Sequence, residues 1–139
     1  MARTVYRNDR CNVITVDTSA LMAIVLGEAA ADSCIEILEA EPAVLISAGT
    51  MAEALIVAAR RNVAGEMAKL VDGLGFDVVT VTSASARRIA AAYERWGKGV
   101  HPAGLNFGDC FAYEVAKEHD CRLLFVGNDF SKTDVESVL

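Results

Sequence analysis

The strongest constraint in this sequence is an alternation. Short apolar runs without a polar face are each followed by a segment of helical spacing. Asn12–Asp17 (Asn-Val-Ile-Thr-Val-Asp), Ala43–Ser47 (Ala-Val-Leu-Ile-Ser), Phe76–Val81 and Leu123–Val126 read as strands. Helices are expected between them. Ala20–Leu26 begins one behind the capping residues Thr18 and Ser19, and a second runs from Glu28 to Ala40. Thr50 opens a third to Asn62, and a fourth spans Ala64 to Leu74. Ser83 caps a fifth that reaches Trp96, and Asn106 opens a sixth to His119. Strands apolar on both faces belong in a parallel sheet covered on both sides. The expected class is therefore α/β, a three-layer αβα sandwich around a central, mainly parallel sheet of four to five strands.

A chain of 139 residues suffices for one domain and is short for two. Residues 12–139 are expected to form it. Residues 1–11, with Arg3, Arg7 and Arg10, read as a disordered or added polar lead. A hydrophobic share of 53% excludes intrinsic disorder and leaves apolar area for a partner surface. No apolar run approaches the roughly 20 residues that span a bilayer. Asp17 cuts off the first apolar stretch, so neither a secretory leader nor an extracellular location is expected, and a cytoplasmic location is. Cys11, Cys34, Cys110 and Cys121 are widely spaced without a C-x-x-C pair, and read as free, buried thiols. His101 and His119 stand in no zinc spacing with them.

The acidic residues sit where acids are costly. Asp17 follows the first strand, where it either caps the next helix or serves a site. Glu53 is the only charge between Pro42 and Arg60, in a helix apolar nearly all round. It reads either as a first-turn partner of the helix dipole or as a buried carboxylate needing a cation. Asp109 lies in Leu-Asn106-Phe-Gly-Asp109-Cys. It is three residues past a candidate cap, in apolar surroundings where Gly108 lets backbone come close. Asp129 follows the last strand in Gly-Asn-Asp129-Phe, a composition that also suits a plain turn. Asp134 fits a capping role behind Ser131 and is at most an occasional ligand.

In a parallel sandwich the positions of Asp17, Glu53, Asp109 and Asp129 fall on one edge. Gathered carboxylates repel one another, and a divalent cation relieves that. Oxygen-only donors select Mg²⁺ or Mn²⁺. Such a site suits phosphodiester hydrolysis.

In that order, these segments resemble the PIN-domain ribonucleases, of the VapC toxin type found in bacterial toxin–antitoxin pairs. The resemblance covers about Asn12 to Leu139 and implies a PIN-like fold. It puts the metal-binding acids on Asp17, Glu53, Asp109 and Asp129, and Ser19 where it would hold a water at the metal. Asn106 would order the loop of the third acid, with Asp134 as a supporting residue. The resemblance further implies cleavage of single-stranded or loop RNA, a homodimer, and inhibition by a VapB-type antitoxin whose C-terminal segment enters the acidic groove.

Arg60, Arg61, Arg87, Arg88, Arg95 and Lys98 read either as a groove rim for RNA or as a solvated helix face. Trp96 reads as loop packing before base stacking. Ile24, Val25, Cys34 and Leu38 are core candidates or part of a partner surface. Two competing readings remain. One is a phosphatase-like hydrolase using Asp17 as nucleophile, weakened because position 19 is Ser rather than a second acid. The other is a non-catalytic acidic groove that binds a basic peptide. The net charge of −6 argues against a simple phosphate grip, but not against RNA held beside a metal.

Overall fold

The structure is a computed structural model and describes residues 13–139. The lead expected over residues 1–11, Cys11 and the first residue of the expected first strand lie outside the described residues. Strand β1 (Val13–Val16) is followed by helices α1 (Thr18–Val25) and α2 (Ala31–Ala40), then by strand β2 (Ala43–Ser47). Helices α3 (Ala48–Arg60) and α4 (Ala64–Leu74) lead to β3 (Asp77–Val79). Helices α5 (Ser83–Trp96) and α6 (Phe107–Glu118) lead to β4 (Arg122–Leu124).

The strands form one parallel sheet in the order β3-β2-β1-β4. Thr15 stands opposite both Leu45 and Leu123, so β1 is central. The chain first steps outward from β1 to β2 to β3, then crosses back to the other side of β1. That reversal opens a crevice at the carboxyl ends of β1 and β4, the place where α/β sheets carry their sites. The backbone N–H of Asp17 donates to the Leu124 carbonyl at 3.0 Å, which joins the two strand ends.

Two apolar clusters cover the sheet. One joins Ile14, Val16, Val44, Ile46 and Leu124 to α1, α2, α3 and α4, with Cys34 and Leu38 buried in it and Ile24 and Val25 partly so. The other joins Leu123 and Phe125 to α5, α6 and Phe130. Leu123 and Leu124 thus serve opposite faces, as neighbours on a strand must. Cys34 and Cys110 are buried free thiols, and Cys121 is free and half-buried. Among the described residues no helix is long and apolar enough to cross a membrane.

Several boundaries differ from expectation for local reasons. Helix α1 starts at Thr18 because Asp17, not Thr18 or Ser19, is its cap. Helix α2 starts at Ala31, since Gly27 takes a left-handed turn at φ 64° that breaks the chain before it. Helix α3 starts at Ala48, where the Ser47 hydroxyl accepts the N–H of Gly49. Thr82, rather than Ser83, caps α5. Strand β3 is an exposed edge: Asp77 and Val78 face solvent, so it is not apolar on both sides. Helix α3 also departs from expectation. It buries only a stripe of small residues (Thr50, Ala54 and Ala58) and leaves Leu55 and Ile56 exposed. Alanines allow close approach along one stripe and cover nothing else.

Candidate active site

Asp17 is 3% exposed and caps α1. Its Oδ2 accepts the backbone N–H of Ser19 at 3.0 Å and the Ser19 hydroxyl at 2.6 Å. Its Oδ1 is buried with no hydrogen-bond partner among the described residues. Burial and the charge of Glu53 push the Asp17 carboxyl up to about 6, against the opposing Ser19 hydrogen bonds. The Ser19 hydroxyl oxygen also accepts the backbone N–H of Val126 at 3.0 Å. Ser19 therefore ties the first acid to the segment that follows β4.

Asp109 is 7% exposed and sits in the first turn of α6. Asn106 is the cap, as expected, and the pair forms a reciprocal box. Asn106 Oδ1 accepts the Asp109 N–H at 2.8 Å, and Asp109 Oδ2 accepts the Asn106 N–H at 3.0 Å. Burial, then the charges of Asp17, Asp129 and Glu53, push its carboxyl up to about 7 against the Asn106 hydrogen bond. All three other expected acids thus act on Asp109. The neighbouring Cys110 thiol is pushed up to about 11 by burial and by Asp109, so it is no thiolate nucleophile at neutral pH.

Glu53 is half-buried. Because α3 begins at Ala48, Glu53 lies beyond the first helical turn, and the helix dipole does not account for it. Its Oε1 accepts the Thr18 hydroxyl at 2.7 Å. Its carboxylate lies against Gly108, where a Cβ would meet Oε2 at 1.9 Å. Asp129 is exposed in the turn after β4. Gly127 makes that turn at φ 102°, and buried Phe130 anchors it on Phe125 at 5.1 Å between ring centroids.

Asp134 is committed elsewhere. It accepts the Tyr113 hydroxyl at 2.6 Å and pairs with Lys117 at 3.3 Å. Burial would raise its carboxyl, but Tyr113, Lys117 and Arg95 outweigh that and hold it below the ordinary carboxylate value. Trp96 is buried, donates to the Tyr113 hydroxyl at 2.9 Å, and packs edge-on against His101 of the following loop. Of the basic residues, Arg88 pairs with Glu114 and Glu118, and Arg95 lies over Trp96 and beside Asp134.

Among the described residues no three His, Cys, Asp or Glu side chains already close into a metal-coordinating cluster. The acids stand within range of one another's charge. The donor chemistry still fits a hard cation: Asp17 Oδ1 lacks a partner, and every candidate ligand is an oxygen. The sequence did not point to Thr18 as a partner of Glu53. The adjacency of Thr18 to Asp17 at a helix start was its only signal. Gly108 was legible as a close approach, but not as one made by Glu53.

The sheet order is that of an α/β domain with a crevice at the carboxyl ends of β1 and β4, and the PIN domain matches residues 14–136. The chain belongs to the PIN-domain family, together with the VapC ribonucleases. Ribonuclease VapC30 of Mycobacterium tuberculosis is 39% identical over 128 residues, which cover 90% of this chain and 98% of that protein. Ribonuclease VapC42 of the same organism is 42% identical over 125 residues, covering 86% and 95%. Among solved structures, M. tuberculosis VapC20, described as a sarcin–ricin loop cleaving toxin, superposes with a TM-score of 0.74 at 21% identity, covering 90% of this chain and 98% of that one. A toxin–antitoxin complex from Klebsiella pneumoniae gives 0.66 at 19% identity, over 87% of this chain and 92% of that one. VapBC2 from Rickettsia felis, bound to a promoter DNA fragment, gives 0.64 at 13% identity, over 90% and 96%. These likenesses confirm the expected fold.

Proposed function

We propose that this protein is an endoribonuclease toxin of a toxin–antitoxin pair, using Mg²⁺ or Mn²⁺ at Asp17, Glu53, Asp109 and Asp129. The observation that carries the reading is that the other three acids gather around Asp109: the Glu53 carboxylate rests against Gly108 beside it, and the charges of Asp17 and Asp129 act on it. The three come from the end of β1, from α3 and from the turn after β4. The relatives named as ribonucleases support it.

Asp17 and Asp109 would hold the cation, with Glu53 and Asp129 completing the oxygen set. When bound, such an ion polarises a phosphodiester and lowers the pKa of a water. The protein's own residues prepare that chemistry. Ser19 orients Asp17 through Oδ2 and leaves Oδ1 available. Asn106 fixes Asp109 at the helix start. Burial of both acids lowers the local dielectric, which strengthens their hold on a cation.

The substrate is single-stranded or loop RNA. Arg60, Arg61, Arg87 and Lys98, which have no carboxylate partner among the described residues, are available to guide its backbone. The partner is a VapB-type antitoxin with a basic C-terminal segment; the solved toxin–antitoxin neighbours support the antitoxin partner. A homodimer is part of the reading, with Leu55, Ile56 and Val78 as exposed apolar area. The site of action is the cytoplasm.

The test is cleavage of total RNA with cleavage-site mapping, with and without chelator, for the wild type, Asp17→Ala and Asp109→Ala. Loss in both variants and with chelator is expected. Full cleavage by Asp17→Ala would overturn the mechanism. A lack of cleavage at any metal concentration, with capture of a basic-tailed partner, would favour the binding-groove reading.

A further inference from the structure

Glu53 lies on a helix, yet helix geometry alone does not place its carboxylate. It lies beyond the first turn of α3 and only half-buried, so a long, flexible side chain would ordinarily sample several rotamers there. Two contacts remove that freedom. Thr18, buried beside the cap of α1, donates its hydroxyl to Oε1 at 2.7 Å. The same hydroxyl lies 3.4 Å from the Thr50 carbonyl, one turn earlier on α3. On the other side, the carboxylate rests on the bare Cα of Gly108. Any Cβ there would stand 1.9 Å from Oε2, 2.4 Å from the carboxyl carbon and 2.7 Å from Oε1.

We infer that Thr18 and Gly108 are positioning residues that jointly set the Glu53 carboxylate for cation binding. The inference rests on the metal-centre reading above and deepens it. Thr18 reaches Glu53 from the residue next to Asp17, and Gly108 from the residue next to Asp109. Each buried acid therefore has a chain neighbour that touches the third. The glycine offers a sharp discrimination. Gly108 lies inside α6 with no unusual φ, and alanine is a better helix former than glycine. A merely structural role predicts that Gly108→Ala leaves the protein as stable or more so, with its metal binding intact. The positioning role predicts that the new methyl displaces Glu53 and weakens metal binding while the fold persists.

Mn²⁺ binding by electron paramagnetic resonance, beside thermal melting without metal, tests this on wild type, Thr18→Val, Thr18→Ser and Gly108→Ala. Thr18→Val keeps the shape and loses the donor; Thr18→Ser keeps the donor. Thr18→Val and Gly108→Ala should each weaken Mn²⁺ binding by about 10-fold or more, and Thr18→Ser should stay close to wild type. RNA cleavage by the two impaired variants should need correspondingly more Mg²⁺. Wild-type Mn²⁺ affinity in Thr18→Val or Gly108→Ala would overturn the inference while leaving the metal-centre reading intact. So would equal losses in Thr18→Val and Thr18→Ser. Absence of Mn²⁺ binding by the wild type would overturn both. Should Thr18→Val fail to fold, Gly108→Ala decides by the same criterion.

Discussion

The Ser19 hydroxyl donates to Asp17 Oδ2 at 2.6 Å. Because its oxygen also accepts the Val126 N–H, Ser19 works as a strut between the cap of α1 and the segment leading to Asp129. Ser19→Ala should leave the Val126 N–H without its acceptor, and Asp17 Oδ2 with only the backbone N–H of residue 19. A stability loss of about 1–3 kcal/mol is expected by denaturant titration. RNA cleavage should fall as well, with Ser19→Thr retaining more activity than Ser19→Ala. Unchanged stability in Ser19→Ala would contradict the strut.

Metal-free protein should lose stability as pH rises from about 4 to about 7. The Asp17 and Asp109 carboxyls stand at about 6 and about 7 in the fold, against 3.8 ordinarily. Over that window the folded protein holds protons that the unfolded chain has released, so raising the pH favours unfolding. Above both folded values the loss is complete. Denaturant midpoints at pH 5, 6, 7 and 8 in chelator should fall in that order. Asp109→Asn should flatten the slope, and millimolar Mn²⁺ should abolish it. A rise in midpoint toward pH 8 in the chelated wild type would refute the electrostatic account.

Asn106→Ala removes one half of the capping box at α6, the Oδ1 that accepts the Asp109 N–H, and keeps the backbone N–H that donates to Asp109. The expected cost is about 0.5–2 kcal/mol. Activity should drop further than that loss of folded protein explains, since the Asp109 N–H then loses its acceptor and the turn that presents the carboxylate loosens. Asn106→Asp retains an acceptor for the Asp109 N–H and should recover most of the stability. It also adds a charge beside the acids, so it should recover little activity. Comparing melting and cleavage for the two variants separates the roles.

Tyr113→Phe breaks two hydrogen bonds at once, to Trp96 and to Asp134. A stability loss of about 1–3 kcal/mol is expected, since the Trp96 N–H and an Asp134 oxygen lose their partner. Mn²⁺ affinity should stay at the wild-type level, because Asp134 remains paired with Lys117 on the outside of α6. A large drop in Mn²⁺ affinity would return Asp134 to the metal site.

The alternating apolar runs made the parallel sandwich legible, since Val-Ile-Thr-Val and Ala-Val-Leu-Ile-Ser are unambiguous buried strands. The edge strand was over-read. Asp77-Val78-Val79 has strand composition, and only its place at the end of the sheet exposes it. Asp17 and Asp109 could be expected near one another because a strand end and a helix start share an edge in this topology. The support of Glu53 was less visible. A threonine hydroxyl reaching across 35 positions to Glu53 leaves no periodic trace. The opening of α3 was misjudged because Ser47 ends a strand and caps a helix at once. Moving that start back by two residues is what took Glu53 out of the first turn.

The sheet order carries a consequence for synthesis. Strand β1 lies at the centre, yet its neighbour β4 is the last strand to be made. While a ribosome is still adding α6, Asp17 has no Leu124 carbonyl to bond and Ser19 no Val126 N–H. The fourth acid has not yet been joined to the chain. The crevice at the carboxyl ends of β1 and β4 therefore closes only after β4 and the turn behind it have been made and have docked beside β1.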